Sequence, residues 1–429
     1  MTKEKQMISR YVYPFLIENP RKMKKNLSKD SLTWEKIERE PRLLSSPVRE
    51  QFNKENGNIE IYKITDYGYK ECVSDNRETE LVLKVKKDQD DYYRSVFMIS
   101  DVSLWVFSSG LSFIVLDISF PAEYEVSDLS NFSSGFSRLK IGSLQETRSV
   151  EFKKEKHTFD FCGFFEKMTS NLCLRSLEDS FDDIKPSYHT IYYENCENSF
   201  DSCSLSLDAL CNNISSSGYS SGKNKKISHI EINQFDGVRW LGSVSSVVLY
   251  CWKQEDREFN LSEVTYKHAQ NDYFSLFMLA IHAKTFVLFC NAEIIRLRKK
   301  TYELSKIKDK LIGFNGFFLL EYVSEHENVQ FFYDELIRQL SVKRLSADIK
   351  DSISAIEKRE DDIKERWLSP LKTFLFFFGF VGTINGVFSL LENFGEWEEY
   401  TFIDHVIVIL VPVVILAFLA GGFLFRKKR

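Results

Sequence analysis

The chain has 429 residues, 43% of them hydrophobic and 28% charged, with eight prolines and a net charge of −5. That is globular composition with a membrane segment added, and the length suits two or three structural units. The small negative charge and the lack of a basic stripe interleaved with aromatics argue against direct nucleic-acid binding.

The opening stretch, MTKEKQMISRYVYPFLIENPRKMKKN, holds no apolar run of signal-peptide length, so export from this end is not expected. β-Branched and aromatic enrichment predicts strands at Ile59–Ile64, Glu80–Val85, Ser95–Ser100, Ser103–Phe107, Phe113–Phe120, Ile227–Ile232, Val244–Trp252 and Thr285–Phe289. Ser108–Gly110 is placed to turn a hairpin between SLWVF and LSFIVLDIS. Tyr188–Lys226 is rich in Ser, Asn and Cys, and its Ser215–Lys226 part reads as a surface loop. Helical patterns occupy Leu261–Ala283 and Asn291–Val323. Strands followed by helices predict an α/β domain with a mixed sheet over residues 1–327, feeding a helical stalk.

No catalytic constellation stands out in this domain. GxxxxGK[ST], GxGxxG and HExxH are absent. The one GxSxG match, Gly218–Gly222, lies in the Ser-rich loop without the strand and helix a nucleophile elbow needs. The eight cysteines form no CxxC pair, and the gaps between Cys196, Cys203 and Cys211 are not those of a zinc knuckle. Reduced thiols in a cytoplasmic, non-enzymatic domain are expected. No ligand-binding or metal-binding residue can be singled out.

Val342, Leu345, Ile349, Ile353, Ile356, Ile363, Trp367 and Leu371 recur near the helical period, with no glycine between Asn328 and Ser369. One long stalk helix is expected from about Asn328, over residues 328–370, with a kink at Pro370. Its stripe is either an oligomer seam or packs back on its own chain.

From Thr373 to Phe425 there is no Lys or Arg. Two apolar runs, Thr373–Leu391 and Val406–Phe425, are about 19 and 20 residues long, enough to cross a bilayer core of about 30 Å. Transmembrane helices are therefore expected over residues 371–391 and 405–425. Lys358, Arg359, Lys364, Arg366 and Lys372 precede the first run, and RKKR, residues 426–429, follows the second. The loop between them, residues 392–404, is acidic, so the positive-inside rule puts both termini in the cytoplasm of a multi-pass inner-membrane protein. Gly382, Asn385, Ser389 and Glu392 share one face of the first run, and Gly379, Thr383 and Gly386 make a neighbouring face. Such residues either let helices pack closely or line water in an oligomer.

An N-terminal α/β domain, a stalk helix, two C-terminal membrane helices, an acidic outer loop and a basic tail together resemble the CorA family of divalent-cation channels. The resemblance implies a homopentamer whose first membrane helix lines the pore. The family's Gly-Met-Asn signature, usually followed by Phe, corresponds to Leu391-Glu392-Asn393-Phe394 here. Only the Asn-Phe survives, so the resemblance does not carry Mg²⁺ selectivity over. Thr383-Ile384-Asn385 echoes the signature but lies mid-helix. The hairpin Ser103–Phe113 and the Tyr11–Phe15 opening resemble the CorA-like membrane effectors encoded beside type III CRISPR systems. That branch implies a channel opened by a nucleotide second messenger during viral infection.

On this basis Gly382, Asn385, Ser389, Glu392 and Asn393 are expected to line a cation pore. Phe374 and Phe378 would form a hydrophobic gate, and Glu396, Glu398 and Glu399 an outer acidic ring. The expected partners are copies of the chain, the lipid bilayer and a small nucleotide, with a divalent cation as the transported or regulatory ion.

Overall fold

The computed structural model describes residues 5–393, apart from residues 31, 54–56, 87–91, 142–147, 155–157, 178–183, 195–199, 217–229, 254–259, 298–306, 308 and 315–319. The chain forms two compact units, Met1–Ile353 and Ser354–Arg429.

The first unit is a mixed α/β domain built on one sheet. Its main path runs β10 (Ile230–Phe235), β11 (Val238–Gly242), β12 (Ser246–Trp252), β9 (Ser187–Tyr193), β1 (Lys5–Ile17), β6 (Leu111–Ser119), β5 (Tyr92–Phe107), β3 (Ile59–Ile64) and β2 (Trp34–Ile37). Three further strands branch from it: β4 (Leu81–Lys86) on β5, β7 (Arg148–Phe152) on β4, and β8 (Leu174–Ser176) on β1. β12 and β9 are parallel, while every other described pairing is antiparallel, so the sheet is mixed as expected.

β1 sits mid-sheet and carries a proline, which cannot donate to a ladder. Pro14 falls in the gap on one edge of β1, where β9 pairing ends at Tyr11 and β8 pairing begins at Phe15. On the other edge it lies opposite Phe113 of β6. The β5–β6 hairpin turns through Ser108–Gly110 as predicted, with Gly110 at φ 93°, a conformation that suits glycine. The two runs predicted at Ser95–Ser100 and Ser103–Phe107 are one strand, bulged between Ile99 and Asp101.

Both faces of the sheet are covered. On one face lie α1 (Pro20–Lys29), α3 (Asp66–Cys72), α4 (Val126–Phe136) and α5 (Phe161–Thr169), packed through Met23, Tyr69, Phe132 and Phe165 against Tyr11, Tyr13 and Phe15. Beside them α6 (Phe200–Cys211) adds Leu207 and Leu210. On the other face α7 (Leu261–His268), a π-turn (Ala269–Tyr273) and α8 (Phe274–Leu297) run as one continuous helical stretch. Tyr188 of β9 packs there against Phe274 and Phe277. Double coverage explains why β6 and β9 are buried almost residue by residue rather than alternately.

The strand expected at Thr285–Phe289 is part of α8. Ile281, Ala283, Phe286, Val287 and Cys290 are all buried, so the segment shows neither a two-residue nor a clean helical period. Of the helix expected over Asn291–Val323, α8 accounts for the start and ends at Leu297, residues 309–314 are helical again, and residues 320–323 are not helical.

α3 approaches β2 closely at Gly68, where an added Cβ would lie 2.7 Å from the Thr33 carbonyl oxygen and 2.9 Å from its Cα. Gly68→Ala is expected to cost about 1–3 kcal/mol of stability, read as a lower urea midpoint with an unchanged slope. An unchanged midpoint would mean that this helix–strand distance is not fixed.

The stalk is not one helix. α2 spans Ser46–Gln51, and the expected stalk falls on two helices, α9 (Glu327–Gln339) and α10 (Val342–Asn393), separated at Leu340–Ser341, with Ser341 at φ 54°. α9 packs on α8 and buries Val329, Phe332 and Tyr333, with the Phe332 ring against Trp240 of β11 and edge-on to Tyr273 of the π-turn. Val342, Ile349 and Ile353 of α10 are buried, whereas Ile363 and Leu371 farther along are exposed. The stripe therefore divides: its first part is buried, Ile356 is half-buried, and Ile363 and Leu371 are exposed. The helix continues through Pro370.

Candidate functional site

The second unit contains the part of α10 on which the sequence places the pore. Phe374, Leu375, Phe376, Phe377 and Phe378 are each between 52% and 62% exposed. At 100° per residue, five consecutive side chains point all round the helix, so this part of α10 presents apolar surface on every side. Two hydroxyls here satisfy themselves locally: Thr373 Oγ1 donates to Ser369 O and Thr383 Oγ1 to Gly379 O, each at 2.8 Å. Such back-bonding lets a hydroxyl lie in an apolar surrounding without an outside partner.

Phe374 and Phe378 stack side by side, ring centroids 4.5 Å apart. Gly382 and Ser389 are exposed, and a Cβ added at Gly379, Gly382 or Gly386 would meet nothing within 4 Å. Positions 374, 378, 382, 385, 389 and 392 fall within about 80° of one another on the helix. The backbone thus puts these gate and pore positions on one face, while position 393 lies 100° round from 392, outside that arc. The side chains of Asn385, Glu392 and Asn393 lie outside the described residues, as do Glu396, Glu398, Glu399 and the whole run Val406–Phe425.

Among the described residues one helical stretch, Leu261–Arg296, is long and apolar enough to cross a membrane. Its most apolar window is 83% buried within the protein, which is what a core helix of the α/β domain requires. Among the described residues no group of three or more His, Cys, Asp or Glu side chains could hold a metal ion.

The first unit holds two polar clusters that the sequence reading did not single out. In one, His189 of β9 is wholly buried, with Nδ1 2.7 Å from Ser9 Oγ and Nε2 3.0 Å from Ser187 Oγ. Ser133 and Asn213 complete the cluster through a 2.7 Å hydrogen bond. Burial pushes the imidazole pKa down to about 3, so the ring is neutral. A serine–histidine contact this deep has no route to a substrate, and its role is to hold β1, β9 and α4 in register.

The second cluster surrounds the π-turn. Arg10 of β1 is buried, with Nε donating to Asp117 Oδ2 at 3.0 Å and Nη2 to Gln270 Oε1 at 2.8 Å. Arg10 Nη1 and Arg39 Nη2 both donate to the Gln270 carbonyl oxygen, at 3.2 and 2.9 Å. Asp272 receives His268 Nδ1 at 2.8 Å and the Leu43 N–H at 2.9 Å. The signal available in the sequence was Arg10 itself, a charge inside the apolar run of β1.

No protein-family model, curated protein or solved structure matches the chain.

Proposed function

We propose that the chain is a membrane protein whose copies assemble side by side, a pentamer by resemblance to the CorA family, around a cation pore lined by α10. The observation that carries this reading is the ring of five exposed apolar side chains, Phe374–Phe378, followed on the same helix by Gly382 and Ser389. Leaving five such side chains in water forfeits on the order of 10 kcal/mol, as much as the whole stability of an ordinary domain. A helix apolar all round belongs in lipid or inside an assembly. The lysine- and arginine-free window Thr373–Phe425, with cations on both flanks, favours lipid.

In an assembly of this kind one face of α10 must turn from lipid toward the axis. The face bearing Asn385, Ser389 and Glu392 is the one that gains by meeting water. Phe374 and Phe378, on that face about two to five turns earlier, would close the path by dewetting. Glu396, Glu398 and Glu399, repeated in every copy, would concentrate cations at the outer mouth. By resemblance to the CRISPR-associated branch, a nucleotide second messenger bound to the α/β domains opens the pore and the ion leak arrests an infected cell. Moving such an equilibrium from 1:99 to 99:1 takes about 5.5 kcal/mol of differential affinity, which several identical sites can share.

Purified protein in liposomes is expected to pass cations when a nucleotide activator is present. Asn385→Leu and Glu392→Ala should each lower that flux on the order of tenfold, with assembly unchanged. Flux of Mg²⁺ that ignores nucleotides would instead mark a housekeeping divalent-metal transporter. Absence of flux under every condition would leave a membrane-tethered sensor without a pore.

A further inference from the structure

Arg39 follows β2 on a segment that lies over the π-turn. Its guanidinium carbon is 5.1 Å from the ring centre of Trp105 and 5.3 Å from that of Phe274. Arg10 approaches the same Phe274 ring at 4.4 Å, so two cations share one aromatic side chain and one carbonyl oxygen. Among the described residues no carboxylate lies within ion-pairing distance of Arg39. The two nearby acids make their direct contacts elsewhere, Asp117 with Arg10 and Asp272 with His268 and the Leu43 N–H, and reach Arg39 only through space. Of the five N–H donors of Arg39, one is used among the described residues, on Gln270 O.

A π-turn shifts the helical bonding by one residue, and Gln270 O is the carbonyl that both guanidiniums reach. Capping a carbonyl needs one neutral donor, whereas this site holds a second arginine that makes no direct ion pair among the described residues, Asp117 and Asp272 acting on it only from a distance. Burial and the adjacent Arg10 charge push the Arg39 pKa down, to about 9. A part-buried guanidinium in that position is stabilised by an oxyanion, which its planar fork can grip with two parallel hydrogen bonds.

We propose that Arg39, backed by Arg10 and seated on Trp105 and Phe274, is the receptor for an oxyanion of the phosphate class at the π-turn of the α/β domain. The site does not rest on the channel reading. Where that reading holds, it supplies the phosphate seat that a nucleotide activator needs. The segment carrying Arg39 is tied in turn to the chain just before α9: Ser45 N–H donates to Val323 O at 2.8 Å, and Ser324 Oγ also bonds to Leu43 O. An anion drawing on Arg39 therefore pulls on the segment that leads into α9.

Calorimetric titration of the full-length protein in detergent, with inorganic phosphate and with adenosine 5′-monophosphate as probes, tests the assignment without reference to ion flux. Saturable binding of one anion per chain is expected. Arg39→Gln keeps an amide donor for Gln270 O but removes the charge, and should weaken binding on the order of tenfold or more. Arg39→Lys keeps the charge without the fork and should weaken it several-fold. No saturable heat with either probe, or equal affinity in Arg39→Gln and wild type, overturns the assignment. If Arg39→Gln fails to fold, affinity in Arg39→Lys equal to that of wild type does the same.

Discussion

Two arginines introduced into the apolar run, Phe376→Arg with Val381→Arg, should stop residues 371–391 from crossing the membrane. Each arginine near the centre of a spanning helix costs about 2.5–3.5 kcal/mol, so the pair opposes insertion by about 5 kcal/mol or more, over a thousandfold. The readout is a cysteine placed in the outer loop, Trp397→Cys, probed on intact cells with a membrane-impermeant thiol reagent. The eight native cysteines all precede residue 291 and lie on the cytoplasmic side in this topology. Labelling from outside is expected with the native run and should vanish with the two arginines. Labelling that never occurs, or that survives the arginine pair, removes the transmembrane assignment and the pore with it.

Acid should loosen the α/β domain through its buried histidines. His189 and His282 are both fully buried, and burial depresses both pKa values, to about 3 for His189 and well below the ordinary value for His282. The unfolded chain takes up a proton on each near pH 6.5, while the folded chain resists until far lower. The unfolded state therefore binds more protons between those limits. The stability contributed by the neutral rings is complete above about pH 6.5 and is eroded as the pH falls toward the folded value. Between pH 7 and pH 5 each ring should account for about 2 kcal/mol, together about 4 kcal/mol. His189→Gln keeps a hydrogen-bonding group beside Ser9 and Ser187 but does not titrate, and should remove about half of that pH dependence. Urea midpoints measured across this range check it; a slope identical in the variant and the wild type would show that His189 is not the group responsible.

Much of the sheet was legible because its strands follow the rules that sequence reading uses. Ile59–Ile64 is a strand over the same residues in the structure, and the turn at Ser108–Gly110 was marked by its glycine. What escaped notice did so for physical reasons. β1 contains Arg10 and Pro14, two residues that argue against a central strand, and each is accommodated by its own device: Arg10 by Asp117 and Gln270, Pro14 by the gap between β9 and β8. β9 was not among the predicted strands: it opens a region rich in Ser, Asn and Cys, yet its polar residues are satisfied inside the core, with Ser187 and His189 bonded to each other. Thr285–Phe289 has strand-like composition, but burial on every side leaves no period to tell strand from helix. At the candidate site, the sequence placed Phe374, Phe378, Gly382 and Ser389 on one face of a helix, and α10 has that geometry. The arginine pair at the π-turn was out of reach because Arg10, Arg39 and Gln270 are brought together only by the fold.

The position of β1 bears on how the protein is made. Its two main neighbours, β6 and β9, begin at Leu111 and Ser187, long after β1 has left the ribosome. During that interval an apolar strand waits with both edges unpaired, a template for any other extended chain nearby. Closure of the sheet depends on contacts far apart in sequence and is slow on that account. Such a nascent chain should lean heavily on a chaperone that shields Tyr11–Ile17 until residue 193 has been synthesised.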